Sequence, residues 1–146
     1  MPYVSEYPIF AVTADIVLFA GRGDDRSVLL IRRGSDPYAG HLALPGGFVD
    51  IDEDLPEAAH RELAEETGVS GVVLRQLGTY GRPGRDPRGR TVSVVFVGHL
   101  PQESLATAGD DAAEAHWIRL ADLVASDEGL AFDHEEVLRD ALAIEV

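Results

Sequence analysis

Apolar and polar positions along the chain predict strands on either side of one central helix. Residues 9–20 alternate and are rich in β-formers, which predicts a strand. Residues 21–25 read as a turn, and 27–33 as a second strand, its hairpin partner. Pro37 marks 34–40 as a loop, and two short extended pieces, 42–44 and 48–49, flank Pro45-Gly46-Gly47. Residues 55–67 carry Leu55, Ala59 and Leu63 at helical spacing on one arc. A strand at 72–80, a loop at 81–90, a Val- and Phe-rich strand at 91–99 and a loop at 101–110 follow. The last strand spans 114–120, with a short helical turn near Asp122. Residues 134–144 form an amphipathic helix that turns Val137, Leu138, Ala141 and Leu142 inward. Mixed strands with helices between and after them predict an α/β fold, a sheet covered on both faces.

The central helix breaks its own pattern. Glu62 and Glu66 fall in the apolar arc, and Glu65 lies at its edge. Clustered anions beside a core face repel each other and lose hydration. A divalent cation makes the arrangement tolerable, and a hard cation such as Mg²⁺ takes oxygen ligands. Glu62, Glu65 and Glu66 stand at i, i+3 and i+4, so their side chains can converge, and they are the candidate metal ligands. Asp54 with Glu57 has capping-box spacing, Pro56 suits a first turn and Gly68 suits a helix stop. Gly46 and Gly47 form a tight loop that exposes backbone to a ligand. Arg61 points about 100° away from Glu62, which assigns it to orienting carboxylates such as Glu57 or Glu65. His60 falls on the outer face. An ordinary acidic surface helix explains the glutamates alone, but not their coincidence with the loop glycines and Arg61.

Charge sharpens the picture. The net charge is −14 over 146 residues. A chain this acidic repels bulk nucleic acid, which points to a small-molecule partner. The charge is polarised: residues 50–66 hold eight acids against Arg61, and 82–90 hold four arginines against Asp86. Bound metal and arginines would let an anionic substrate approach. Cysteine is absent, which excludes disulfides, a thiol nucleophile and a Cys-based zinc site and fits a cytoplasmic address. No apolar run reaches membrane-spanning length, no leader is indicated, and the length fits a single domain over 1–146.

The loop 81–90 carries Arg82, Arg85, Arg88 and Arg90 on a Gly/Pro-stiffened frame suited to a diphosphate or ribose phosphate; the alternative is a solubilising hairpin loop. Tyr7, Phe10, Tyr38 and Phe132 are aromatics for core packing, rim packing or purine stacking. His134 stands where it can touch substrate or neighbour a helix cap. Glu62 and Glu53 are candidate general bases, and Glu53 is also a candidate further ligand or brace for the helix carboxylates. Glu114 either contributes from across the site or belongs with Asp110 and Asp111 to a solvated acidic loop.

Gly47, five residues, Glu53, seven residues, then Arg61-Glu62-Leu63-Ala64-Glu65-Glu66-Thr67-Gly68-Val69 resembles a complete Nudix box. The flanking 41–50 segment and Trp117 are similar to the same family, and the resemblance runs from about Ala11 to the C-terminus. It implies an α/β/α sandwich with a mixed central sheet. It also implies metal-dependent hydrolysis of a nucleoside diphosphate linked to another group, with Mg²⁺ replaceable by Mn²⁺, and a homodimer. Residues 85–90, 130–134 and, approximately, Pro83 resemble the ADP-ribose pyrophosphatase branch, which implies cleavage of ADP-ribose to AMP and ribose 5-phosphate. Similar segments occur in Nudix-like transcriptional regulators carrying an added DNA-binding domain, for which 146 residues leave no room. Hydrolysis of damaged or surplus nucleoside triphosphates and non-catalytic nucleotide sensing are the alternatives.

Overall fold

The structure is a computed structural model, and it describes residues 4–109 and 112–144. A single seven-stranded mixed sheet forms its middle layer. β1 (Ala11–Ala20) and β6 (Thr91–Leu100) run parallel and in register along their whole length. The other pairings between named strands are antiparallel, in the path β3 (Leu42–Ala43), β2 (Ser27–Arg33), β1, β6, β5 (Arg75–Tyr80). β4 (Gly46–Phe48) joins β1, and β7 (Ala112–Arg119) joins β2.

The expected β1–β2 hairpin is present but splays. Only Phe19–Val28 and Ala20–Ser27 pair directly. Beyond them β1 takes β4, and β2 takes β3. Gly46 and Gly47, expected in a tight loop, instead begin β4, which sits in the split between the two central strands.

Each face of the sheet is covered by one helix. α1 (Leu55–Thr67) buries Ala58, Ala59 and Leu63 against Ala14, Ile16 and Leu18 of β1. α3 (His134–Ile144) buries Val137, Leu138 and Ala141 against Val17 and Phe19, the alternate residues of the same strand. β1 is therefore covered on both sides and reads as a nearly unbroken apolar run. Leu142 packs at the edge of that cluster, and α2 (Leu120–Ala125) is the short helix expected near Asp122. The layers form the expected α/β/α sandwich.

Other boundaries shift as well. Ile9 and Phe10 stay exposed because the first backbone bond of β1 runs from Ala11 N–H to the Arg90 carbonyl. β5 starts at Arg75, not at residue 72, and carries a bulge between Gln76 and Gly78. β7 begins two residues before Glu114.

α1 starts on a reciprocal cap. Glu57 accepts from the Asp54 N–H at 3.1 Å, while the Asp54 side chain caps the first-turn N–H groups. Gly68 ends the helix in the left-handed region at φ 76°, its N–H bonded to the Ala64 carbonyl. Replacing Asp54 with Ala is expected to lower unfolding free energy by about 1 kcal/mol in urea titrations. An unchanged midpoint would show that the cap contributes nothing.

Candidate active site

A pocket of about 350 Å³ opens where the strands split. The Gly46–Phe48 strand, the start of β1, the inner face of α1, the arginine loop and the entry to α3 all contribute to its lining.

α1 presents its glutamates in three environments. Glu62 is buried, Glu66 is half-buried, and both line the pocket. Glu65 is exposed and does not. Glu62 lies tight against the glycine strand: a Cβ on Gly47 would meet its carboxylate at 2.5 Å. Gly46 has the same relation to Asp15, whose carboxylate a Cβ there would strike. The two glycines thus line the pocket and also let two carboxylates reach the strand backbone.

Arg61 ties these groups together. Its Nε and Nη2 donate to Glu53 at 2.6 and 2.9 Å, and Nη1 donates to Glu62 at 2.7 Å and to Glu65 at 3.0 Å. Nη2 also donates to the Phe48 carbonyl at 3.0 Å, and Asp50 stands 3.7 Å away. Glu57, the other expected partner, is taken by the helix cap. The hydrogen bonds from Arg61 hold the Glu53 carboxyl down at about 2. Glu62 moves the opposite way: burial raises it, and Arg61 offsets only part of that. Two carboxylates on one guanidinium are therefore driven apart by their surroundings.

Glu62 and Glu66 offer hard oxygen donors to a divalent ion. Among the described residues no three acidic or histidine groups form a ready-made metal cluster, and Glu65, exposed and outside the pocket lining, stands apart from Glu62 and Glu66. A two-carboxylate set still fits Mg²⁺, which keeps several waters and binds through one or two carboxylates plus phosphate oxygens.

The arginine loop divides. Arg85 and Arg88 line the pocket; Arg82 and Arg90 do not. Arg85, 4% exposed, donates bidentately to Asp133 at 2.9 and 2.7 Å. Arg88 donates bidentately to Asp86 at 3.0 and 2.7 Å. Burial works to raise Asp86, but the Arg88 guanidinium and N–H outweigh it and leave the carboxyl low. The Arg88 guanidinium lies 4.8 Å from the Phe48 ring and 5.4 Å from the Phe132 ring, bridging two sides of the pocket. Arg82 pairs with Glu136 on α3, and Arg90 lies over Phe10. Glu114 is exposed on β7, bound to His116 at 2.5 Å, and does not line the pocket. Asp110 and Asp111 lie outside the described residues.

Of the four aromatics, Phe132 lines the pocket and packs on Tyr38 at 4.9 Å, whereas Tyr7 and Phe10 are exposed. Phe132 and Tyr38 are the two non-glycine residues with positive φ among the described residues, a costly backbone state concentrated at functional positions. His134 is buried in the pocket lining, and burial keeps its imidazole below the usual range. Reasoning from sequence missed Asp15, Arg33 and Asp86. Asp15 had a visible signal, a lone carboxylate in an apolar strand; Arg33 and Asp86 had none.

The NUDIX domain model matches residues 9–141. An ADP-ribose pyrophosphatase from Methanocaldococcus jannaschii is 46% identical over 80% of this chain and 66% of its own length. The ADPR responsive transcriptional repressor NtrR from Acinetobacter baylyi is 35% identical over 95% of this chain. This chain thus spans 66% and 56% of the lengths of those two relatives. Among solved structures, the NUDIX domain of Shewanella oneidensis NrtR complexed with ADP ribose superposes with a TM-score of 0.87 at 33% identity, over 96% of this chain and 91% of that one. A bifunctional NMN adenylyltransferase/ADP ribose pyrophosphatase from Francisella tularensis, complexed with AMP and a Mn ion, gives 0.81 at 29% identity, over 95% and 43%. With an uninterrupted box from Gly47 to Val69 seated in a matching sandwich, the chain belongs to the Nudix family.

Proposed function

We propose that this chain, as a single domain, hydrolyses the diphosphate of ADP-ribose to AMP and ribose 5-phosphate, with Mg²⁺ as its working ion. The supporting observation is one pocket that combines the helix carboxylates Glu62 and Glu66 with the anchored arginines Arg85 and Arg88. The relatives that act on or bind ADP-ribose point to the same ligand. A cytoplasmic address and a homodimer complete the proposal, from cysteine-free composition and from family resemblance respectively. The −14 net charge favours a small nucleotide over bulk nucleic acid.

Glu62 and Glu66 would hold the ion, with Glu65 and Glu53 close enough through Arg61 to brace them. When bound, the ion neutralises phosphate charge and acidifies a water. Arg85 and Arg88 each commit the Nε–Nη2 edge to a carboxylate, which leaves Nη1 donors for phosphate oxygens. Water attacks one phosphorus, the bridging P–O bond breaks, and both products leave as phosphate monoesters. Of the box candidates for accepting the water proton, Glu62 lines the pocket, whereas Glu53 does not and is held by Arg61.

With Mg²⁺ present, AMP release is expected to be fastest from ADP-ribose across a panel of nucleoside diphosphate derivatives and triphosphates. Faster turnover of a triphosphate by about tenfold or more would assign a different Nudix substrate. Binding of ADP-ribose without turnover would indicate a sensor, the role that the Acinetobacter repressor favours.

Glu66→Gln is expected to lower kcat by roughly 10² or more with the melting temperature retained, and Glu65→Gln to cost less, because Glu65 is exposed and does not line the pocket. Equal turnover in wild type and Glu66→Gln would remove the metal assignment.

The Arg61–Glu53 pair sets an acid limit. Glu53 sits below its unfolded value, so its stabilisation is complete above the ordinary carboxylate range and is lost as pH falls toward about 2. The stability gap between wild type and Glu53→Gln should stay constant from pH 7 to about 5 and close below it. A gap that widens with acid would contradict the pairing.

A further inference from the structure

Two buried residues of the pocket lining each keep a polar atom without a protein partner. Asp15 and His134 are 7% and 5% exposed, and both line the pocket. Asp15 Oδ2 accepts the hydroxyls of Thr13, at 3.1 Å, and Ser93. Its Oδ1 lies against Gly46. His134 Nδ1 accepts the Leu44 N–H at 3.0 Å. A backbone N–H can only donate, so Nδ1 carries no proton and the neutral ring carries its proton on Nε2. Among the described residues no hydrogen bond reaches either His134 Nε2 or Asp15 Oδ1. Both atoms are reached by solvent in the pocket, which leaves this donor and this acceptor free for a ligand group.

Their chemistry narrows the group. A hydroxyl accepts and donates at once, matching one Nε2–H donor and one carboxylate acceptor in the same pocket. A phosphate oxygen would meet the Asp15 charge. Position narrows it further. Asp15, His134, Glu62 and Glu66 line the same pocket, and the Asp15 charge is among those acting on Glu62. Whatever Asp15 and His134 hold therefore shares that pocket with the group that Glu62 serves. In ADP-ribose a ribose flanks the diphosphate on each side, and adenine lies one sugar further away.

Resting on the ADP-ribose reading above, we propose that Asp15 and His134 form a ribose-hydroxyl subsite of this pocket. Thr13 and Ser93 fix the Asp15 carboxylate, and the Leu44 N–H fixes the imidazole and its tautomer.

Wild type, Asp15→Asn and His134→Asn are compared with Mg²⁺ on ADP-ribose and two deoxy analogues. One analogue lacks a hydroxyl on the adenosine ribose, the other on the terminal ribose. Asn at 134 keeps an oxygen near the Nδ1 position for Leu44 and deletes the Nε2 donor; Asn at 15 keeps shape and an oxygen for Thr13 and Ser93. Wild type should prefer ADP-ribose over one analogue by roughly tenfold or more in kcat/KM, mainly through KM, and both variants should bring that ratio within about threefold of unity. The rejected analogue identifies the ribose. Wild type that accepts both analogues as well as ADP-ribose overturns the subsite, as does a parallel loss on all three substrates in both variants. Absence of ADP-ribose turnover in wild type removes the function proposed above; the same three ligands compared by calorimetry then decide the subsite on the same ratios.

Discussion

One guanidinium holds this site in place. Arg61 is the only basic residue in a segment of eight acids, and it contacts Glu53, Glu62 and Glu65 within 3.0 Å. Without it Glu62, buried beside the core, would face its neighbours' charge unscreened. The same side chain bonds the Phe48 carbonyl, so it also pins the glycine strand to the helix. Helix carboxylates, the loop carboxylate and pocket backbone thus share one anchor. Lysine could not replace it, because a single ammonium lacks the planar fork that reaches several acceptors at once.

That anchor is useful only because the sheet opens. β1 and β2 part after two residue pairs, and the Gly46-Gly47 strand enters the gap. Glycine there lets Asp15 approach from one face and Glu62 from the other. The residues that form the pocket therefore come from both sides of a sheet whose faces are otherwise sealed by α1 and α3. The arginine loop closes a third side, held by Asp133 and Glu136 at the start of α3.

Local signals were readable in the sequence, and long-range ones were not. The capping box, the Gly68 stop, the inward Glu62 and the α3 face all depend on residues a few positions apart. The complete box made the sandwich legible as well. The fate of the arginines depends on partners far along the chain: Arg85 meets Asp133 and Arg82 meets Glu136, 48 and 54 residues away. Spacing cannot assign such pairs, so four arginines on one loop looked equivalent, although only Arg85 and Arg88 reach the pocket. Glu65 looked equivalent to Glu66 for a related reason, since helical geometry places both near one point but does not reveal that Glu65 stays exposed while Glu66 lines the pocket. Asp15 is the converse: one charge amid Ala14 and Ile16 on a central strand was visible, and only the split sheet explains it.

The most direct test of the account is a crystal structure with Mn²⁺ and a non-hydrolysable ADP-ribose analogue, with the metal located by its anomalous signal. Glu62 and Glu66 should both coordinate the ion while Arg61 keeps its contacts to Glu53 and Glu65. An ion bound elsewhere, with the analogue in the pocket and Glu62 and Glu66 coordinating nothing, would contradict it.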